Sequence, residues 1–135
     1  MERRTGDYVR HGIEQGWVTA CHDVADGGLA VAVAEMALAG NMGALIDCPT
    51  PLGLAGSYFA EDQGVYVVTV DDHALLGFLA GAHAAGVAVE PIGRTAGTRL
   101  IFECEAGDHC VTLADLRAVH EGFFPKLMGA DAALA

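Results

Sequence analysis

The chain has 135 residues, of which 53% are hydrophobic and 19% charged, and its formal net charge is −11. This length fits one domain with a sizeable core, and the apolar content predicts a thickly layered fold or a face that a partner covers. Seven Lys and Arg residues scattered along an acidic chain form no basic patch, so nucleic acid and anionic membrane surfaces are not expected partners.

No apolar run reaches the roughly 20 residues that span a bilayer, and no apolar signal core follows the first residues. We therefore expect a cytoplasmic location. The cysteines, Cys21, Cys48, Cys104 and Cys110, show no Cys-x-x-Cys spacing. Free thiols are the favoured interpretation, and a zinc site at the last two cysteines is the alternative.

The first predicted helix covers residues 8–15 and ends at Gly16, and residues 17–21 form a strand rich in aromatic and β-branched types. An apolar run follows at residues 29–39, whose length, alanine content and glutamate favour helix over strand. Because this run is apolar on nearly every side, we expect the helix to be buried on more than one face.

The junction between this strand and this helix carries two aspartates and two glycines, Asp23, Asp26, Gly27 and Gly28. Unpaired N–H groups at a helix start suit phosphate, glycine lets a ligand approach the backbone, and two nearby carboxylates suit Mg²⁺. The alternative is structural: Asp26 is an N-cap and the glycines form a tight turn, which is the commoner role of such residues. The pattern is neither a Walker P-loop nor a dinucleotide-binding fingerprint.

The middle of the chain alternates strand and helix signals. Residues 43–47 are predicted to form a strand, and residues 48–56 a loop, because two prolines and two glycines disfavour regular structure. Residues 65–70 form the clearest strand, apolar enough to be central. A helix over residues 73–85 follows, and the two aspartates before it are expected to cap it.

The last third of the chain is predicted to form a hairpin and a closing helix. A strand begins at residues 87–89, and residues 91–95 pair with residues 99–103 around a glycine turn. After a short exposed turn, Thr112 caps a helix over residues 113–120. The mixture of elements predicts a layered α/β domain with a mixed sheet and helices on its faces.

Residues 22–37 (HDVADGGLAVAVAEMA) resemble the C-terminal domain of the synthetase subunit of phosphoribosylformylglycinamidine synthase. Three further stretches agree with that family in the same order, namely residues 59–70 (FAEDQGVYVVTV), 86–95 (GVAVEPIGRT) and 113–125 (LADLRAVHEGFFP). Four ordered motifs are far more specific than a glycine pair alone. The resemblance covers a core of about residues 7–128 in a single domain over residues 1–135, with residues 129–135 as a frayed tail.

This resemblance implies a fold and an activity. The family belongs to the aminoimidazole ribonucleotide synthetase superfamily, whose C-terminal domain resembles a three-layer α/β/α sandwich with a mixed sheet. The implied enzyme is an ATP-dependent ligase of purine biosynthesis that converts formylglycinamide ribonucleotide and ammonia into the amidine. Mg²⁺ and ATP or ADP are the implied cofactors, bound mainly by N-terminal domains that this chain does not resemble. We therefore expect the isolated domain to be inactive.

The resemblance also implies roles for residues of the glycine-bearing junction. Asp23 and Asp26 correspond to Mg²⁺ ligands, and Gly27 and Gly28 to the backbone that faces phosphate. The serine of the usual motif is Ala25 here, which removes one hydroxyl and weakens the case for direct nucleotide contact.

A second group of implied site residues, Glu61, Asp62 and Gln63, takes the place at which the paired catalytic domain of the family holds substrate. In this last domain that place faces an auxiliary site, so we expect a structural or vestigial nucleotide there rather than turnover.

The implied partners are the remaining synthetase domains, a glutaminase subunit and a small accessory subunit. An exposed apolar face that permits a homodimer is also expected. Two alternatives stay open: the C-terminal domain of a thiamine-phosphate kinase-like member of the superfamily, or a non-catalytic scaffold module that covers a partner.

Overall fold

The computed structural model describes residues 2–47, 53–104 and 106–129 of the chain. Two compact units contain these residues: unit 1 consists of Met1–Met36 and Cys48–Ile92, and unit 2 of Ala37–Asp47 and Gly93–Ala135. The helix Gly28–Gly40 contributes residues to both units. A single domain over the whole chain stays a prediction.

The described residues form helices and strands in alternation. Their bounds are α1 Glu2–Glu14, β1 Val18–Asp23, α2 Gly28–Gly40, β2 Ala44–Ile46, α3 Gly53–Phe59, β3 Tyr66–Val70, α4 Asp72–Ala84, β4 Gly93–Thr95, β5 Arg99–Phe102, β6 His109–Thr112 and α5 Leu113–Leu127. Within the three described ranges, no helix combines the length and the apolar character needed to cross a membrane.

The core of unit 1 forms where α1 and α4 meet the first residue of β1. The ring of Tyr8 on α1 lies 5.2 Å from the ring of Phe78 on α4, centroid to centroid. The Tyr8 hydroxyl donates a hydrogen bond to the Phe78 carbonyl oxygen at 2.6 Å, so its polar end is satisfied although the side chain is buried. Val18, Ala82 and Val87 complete this buried cluster.

An antiparallel ribbon of β1 and β3 leads from this core to the glycine-bearing junction. Cys21 pairs with Val68, and Asp23, the last residue of β1, pairs with Tyr66. Just beyond the ribbon, the Val24 N–H donates to the carbonyl oxygen of residue 65 at 2.9 Å. The junction therefore starts from a backbone position that the neighbouring strand holds.

Helix α2 follows the junction. Its successive residues Ala32 and Val33 are 2% and 5% exposed. Gly28 and Ala37 are also buried, and at about 100° per residue the four buried positions spread over about 180° of the helix surface, so more than one face of α2 is covered.

Unit 2 contains a four-stranded mixed sheet in the order β4-β2-β5-β6. Strands β2 and β5 are parallel, with Leu45 next to Ile101, and the other two pairs are antiparallel. Leu100 of β5 is fully buried. The α/β class with a mixed sheet is confirmed.

The predicted hairpin between residues 91–95 and 99–103 is wrong, because β2 lies between the two strands. The Gly43 N–H donates to the Gly97 carbonyl oxygen, and the Ala96 N–H to the Gly43 carbonyl oxygen, both at 2.8 Å. The turn between β4 and β5 thus passes over the start of β2. Close spacing along the chain predicted direct pairing, but a strand from a distant part of the sequence takes the position between them.

Two further predictions need correction. The strand expected at residues 87–89 is absent, because the Val87 N–H donates to the Ala82 carbonyl oxygen at the end of α4 while its side chain fills the core. The loop expected at residues 48–56 contains the first residues of α3, which begins after both prolines and has the buried Tyr58 as an anchor. The first part of that predicted loop lies outside the described residues.

The closing segment also holds more regular structure than predicted. Residues 109–112, which begin at the end of the predicted turn and for which no strand was predicted, form β6, in which Cys110 pairs with Ile101. The predicted cap of α5 is confirmed, since the Thr112 hydroxyl accepts the Asp115 N–H at 3.0 Å. Helix α5 continues through Pro125 rather than ending at residue 120. The predicted tail beyond residue 129 lies outside the described residues.

Three cysteines, Cys21, Cys104 and Cys110, are free thiols, and Cys48 lies outside the described residues. Burial, and next the charge of Asp23, raise the pKa of the Cys21 thiol, which favours its protonated form.

Replacement of Phe78 by alanine should lower the free energy of unfolding by about 3 kcal/mol or more, because it removes a large ring from a closely packed core. Phe78 is 2% exposed, whereas Leu76 on the same helix is 81% exposed. Leu76→Ala is therefore the matched control, with an expected change below about 0.5 kcal/mol. Urea unfolding followed by the fluorescence of Trp17, which packs against this core, measures both variants. Equal losses would contradict the central place of Phe78.

Candidate functional site

The candidate site is the turn that joins β1 to α2, here called the glycine bend (residues 24–28). Gly27 and Gly28 have φ angles of 85° and 72°, the left-handed region that disfavours residues with a Cβ. A Cβ on Gly28 would lie 2.7 Å from the Phe59 carbonyl carbon and 2.8 Å from the Ala60 carbonyl oxygen. The glycine bend is therefore pressed against the segment that follows α3, and Gly28 has no room for a side chain.

Of the two predicted Mg²⁺ ligands, Asp23 directly precedes the bend and Asp26 lies within it, and both are exposed. Asp26 makes no hydrogen bond or ion pair with any other residue in the described part of the chain. Asp23 Oδ1 lies 3.5 Å from His22 Nδ1. Both carboxylates are thus accessible to an ion from solvent.

The side chains at the bend fit Mg²⁺ only as a site that is completed by water and phosphate oxygens. Within the described residues, no group of three or more His, Cys, Asp or Glu side chains is arranged to hold a metal ion. Mg²⁺ commonly takes one or two carboxylates and completes its six ligands with water and substrate phosphate. Asp23 and Asp26 suit that mode, in which a bound phosphate is a condition for tight metal binding.

A cavity of about 220 Å³ opens beside the bend. Its lining residues are His22, Asp23, Ala25, Asp26, Ala32 and Glu35. Among the described residues, the lining contains three carboxylates and one imidazole but no Lys or Arg. An anionic ligand would therefore depend on backbone N–H groups or on a bound cation.

His22, which no sequence motif marked as a site residue, joins the two sides of this cavity. Its Nε2 lies 2.7 Å from Glu35 Oε2 on α2, and its Nδ1 lies 2.7 Å from the Asp23 carbonyl oxygen. Since a carbonyl and a carboxylate only accept, both ring nitrogens donate when the ring is an imidazolium. Of His22 and its neighbour, the motif suggested a role only for Asp23, as a metal ligand. His22 was missed because no local spacing links it to Glu35, thirteen residues later.

The pKa of His22 is raised above its usual 6.5. The largest cause is the hydrogen bond to the Asp23 carbonyl, while partial burial acts in the opposite direction, and the hydrogen bond and charge of Glu35 raise the pKa further. The His22 ring thereby links the end of β1 to α2 on one side of the cavity.

Glu61, Asp62 and Gln63, the second predicted group, differ in their relation to the bend. Glu61 Oε1 accepts a hydrogen bond from the Gly27 N–H at 3.1 Å, which brings the two predicted motifs together. Asp62 and Gln63 are exposed and make no hydrogen bond or ion pair with other residues of the described ranges.

The link between His22 and Glu35 should make stability depend on pH in a defined direction. A folded-state pKa raised above 6.5 means that the link adds stability below the unfolded value and loses it as pH rises through the folded value. Wild type should therefore exceed His22→Gln in Tm by more at about pH 5.5 than at about pH 8.5. Glu35→Gln should shrink this pH dependence, and His73→Gln, at an exposed histidine on α4, is the control. A Tm difference independent of pH would contradict this role.

Comparison with known proteins identifies relatives that contain the whole region. The chain is 48% identical over 133 residues to the phosphoribosylformylglycinamidine synthase subunit PurL of Rhizobium meliloti, which covers 98% of the chain and 17% of that relative. The corresponding subunit of Methylocella silvestris is 45% identical over 129 residues, with coverage of 96% and 17%. The chain therefore spans about 17% of the length of these curated relatives.

Solved structures agree in fold. T. maritima PurL complexed with FGAR superposes with a TM-score of 0.73 at 17% identity, over 85% of this chain and 20% of that one. T. maritima PurL complexed with ATP gives a TM-score of 0.73 at 16% identity, over 84% and 21%. At this identity the likeness concerns the fold.

A family model described as "AIR synthase related protein, C-terminal domain" matches residues 1–104. The match includes the glycine bend, its carboxylates and the segment that carries Glu61, so it rests on the region in which the candidate site lies. With most of the chain covered, the assignment does not depend on the glycine motif alone. The chain belongs to the family described as the C-terminal domain of AIR synthase related proteins.

Proposed function

We propose that this chain is the C-terminal domain of a synthetase subunit of phosphoribosylformylglycinamidine synthase. The observation that carries the proposal is 48% identity to a PurL subunit across 98% of the chain. The whole enzyme would convert formylglycinamide ribonucleotide, ATP and ammonia into the amidine, with ADP and phosphate as products. Phosphorylation makes the amide oxygen a leaving group, which ammonia from glutamine then displaces.

Within that reaction the chain would supply part of a nucleotide cradle. Asp23 and Asp26 would hold Mg²⁺, which neutralises phosphate charge, and the backbone of Gly27 and Gly28 would face the phosphate. The exposed carboxylates and the adjacent cavity support this role. Ala25 offers no hydroxyl to a ligand, so we propose a structural nucleotide rather than turnover at this bend.

Glu61, Asp62 and Gln63 would contribute the other edge of the same cradle. The bond between Glu61 and the Gly27 N–H supports the location of Glu61 at this edge, where its carboxylate engages a donor that is proposed to face phosphate. For its two exposed neighbours the support is their place in the chain directly after Glu61.

The chain would work inside a larger assembly. A T. maritima relative has been solved as PurLQS, which supports partner subunits, and we propose a glutaminase subunit and a small accessory subunit beside the remaining synthetase domains. The second half of α5 exposes large apolar side chains, namely Val119, Phe123, Phe124, Leu127 and, just after it, Met128. Surfaces of this kind mark interaction sites. The homodimer and the cytoplasmic location stay predictions.

A chimera tests the proposed function directly. This chain would replace the matching segment of R. meliloti PurL, and we expect the purified chimera to restore ATP-dependent amidine formation when ammonia is supplied. The controls are unmodified PurL and PurL without the segment, which should be active and inactive respectively. A chimera that folds, as judged by circular dichroism, yet shows no activity would reject the proposal. Activity of the chain by itself would also reject it.

The metal role of the two aspartates predicts a specific loss. Asp23→Asn and Asp26→Asn should each weaken Mg²⁺-dependent ADP binding to the chimera by about tenfold, equivalent to ~1.4 kcal/mol, because a neutral amide is a poorer Mg²⁺ ligand. Asp72→Asn, at an exposed aspartate that begins α4, is the matched control with unchanged affinity. Calorimetry with and without Mg²⁺ measures the three variants. If the three variants bind ADP in the presence of Mg²⁺ with equal affinity, Asp23 and Asp26 are not ligands of the metal ion.

A further inference from the structure

The backbone donor that the proposed cradle would offer to phosphate is already taken. The Gly27 N–H points to Glu61 Oε1 at 3.1 Å, so a carboxylate of the chain itself occupies the place of an anionic ligand at the start of α2. A carboxylate and a phosphate oxygen both bind such a donor through a charge-assisted hydrogen bond. One N–H group cannot serve both fully at the same time.

The segment that carries Glu61 is held against the bend on both sides of this residue. On one side, Gly28 packs so closely on Phe59 and Ala60 that a Cβ would clash with their backbone. On the other side, the Val24 N–H donates to the carbonyl oxygen of Val65 at 2.9 Å. These backbone contacts keep the Glu61 side chain within reach of Gly27 whether or not the carboxylate is bound there.

The side chain itself is free to leave. Glu61 is exposed, and its bond to Gly27 is its one hydrogen bond or ion pair with the described residues. Departure would cost this bond but would require no movement of the backbone that holds the segment. The carboxylate can therefore exchange between the bend and solvent.

Local charge makes simultaneous occupancy unfavourable. The neighbouring cavity presents Asp23, Asp26 and Glu35, and the ring of His22 is engaged by Glu35. A phosphate that approached Gly27 with Glu61 in place would add negative charge to an acidic surface, since no Lys or Arg of the described ranges lines the cavity. Like charges at such short range repel strongly where solvent is partly excluded.

We propose that Glu61 is an internal competitor of the phosphate ligand: its carboxylate blocks the Gly27 N–H and must leave before a nucleotide phosphate binds the glycine bend. This inference rests on the proposed function for the location of the phosphate and concerns the regulation of that site. It explains how an acidic domain keeps this donor satisfied while the ligand is absent, and it predicts that the loss of Glu61 increases phosphate affinity.

The test is a titration of the ¹⁵N-labelled chain with inorganic phosphate in the presence of Mg²⁺, followed at the Gly27 and Gly28 amides. Glu61→Ala should bind phosphate about tenfold more tightly than wild type, since a charge-assisted bond no longer competes. Glu61→Gln should fall between them, because its amide oxygen still accepts the N–H but carries no charge. The matched control is Glu90→Ala, which removes an exposed carboxylate with no partner in the described ranges and should leave the affinity unchanged.

Several results would overturn the proposal. Unchanged or weaker phosphate binding in Glu61→Ala would show that Glu61 does not compete with phosphate. If phosphate has no effect on the Gly27 amide in any variant, the proposal is also rejected. If Glu61→Ala unfolds, Glu61→Gln decides the question by the same criterion. The PurL chimera separates this failure from that of the proposed function. If the chimera is active but Glu61→Ala leaves the phosphate affinity unchanged, only the proposed competition by Glu61 is rejected.

Discussion

The close contact between Gly28 and the backbone of Phe59 and Ala60 is the constraint on which the site depends. It requires a residue without a Cβ at a φ angle of 72°, so the chain can turn sharply from β1 into α2 only with glycine at this place. The same contact presses the start of α2 against the segment before β3. Gly27 and Glu61, separated by more than thirty residues along the chain, come within hydrogen-bond distance as a consequence.

Charge is distributed around this contact in an uneven way. Asp26 has no partner among the described residues, whereas Glu35 and Glu61 are both engaged, one by the His22 ring and the other by the Gly27 N–H. A carboxylate without a partner is available to a cation, and a carboxylate bound to a backbone donor must first be displaced. One carboxylate at the bend is therefore accessible to a cation and another occupies a backbone donor, and the proposed binding of phosphate together with Mg²⁺ rests on this arrangement.

The structure also shows where reasoning from the sequence fails. Strand β3 and helix α4 were recognisable because their signals are local, namely a run of β-branched and apolar residues and an apolar helix with aspartates before it. The pairing of β4 with β5 was not, because the strand that separates them, β2, comes from about fifty residues earlier. Val87 is a β-branched residue that favours a strand, but its N–H bonds the Ala82 carbonyl oxygen at the end of α4. Packing of its side chain in the core decides between the two conformations.

The sequence by itself determined the α/β class, most of the helices and strands and, through four ordered motifs, the family, and it marked Asp23, Asp26, Gly27 and Gly28 as candidate site residues. These properties depend on local periodicity, on the conformational freedom of glycine and on residue order, all of which can be read along the chain. Tertiary structure alone decided the strand order of the mixed sheet, the link between His22 and Glu35, and the contact of Glu61 with Gly27. Each of these joins groups that are distant in sequence, and hydrogen bonds between such groups are set by how the backbone packs rather than by any local pattern.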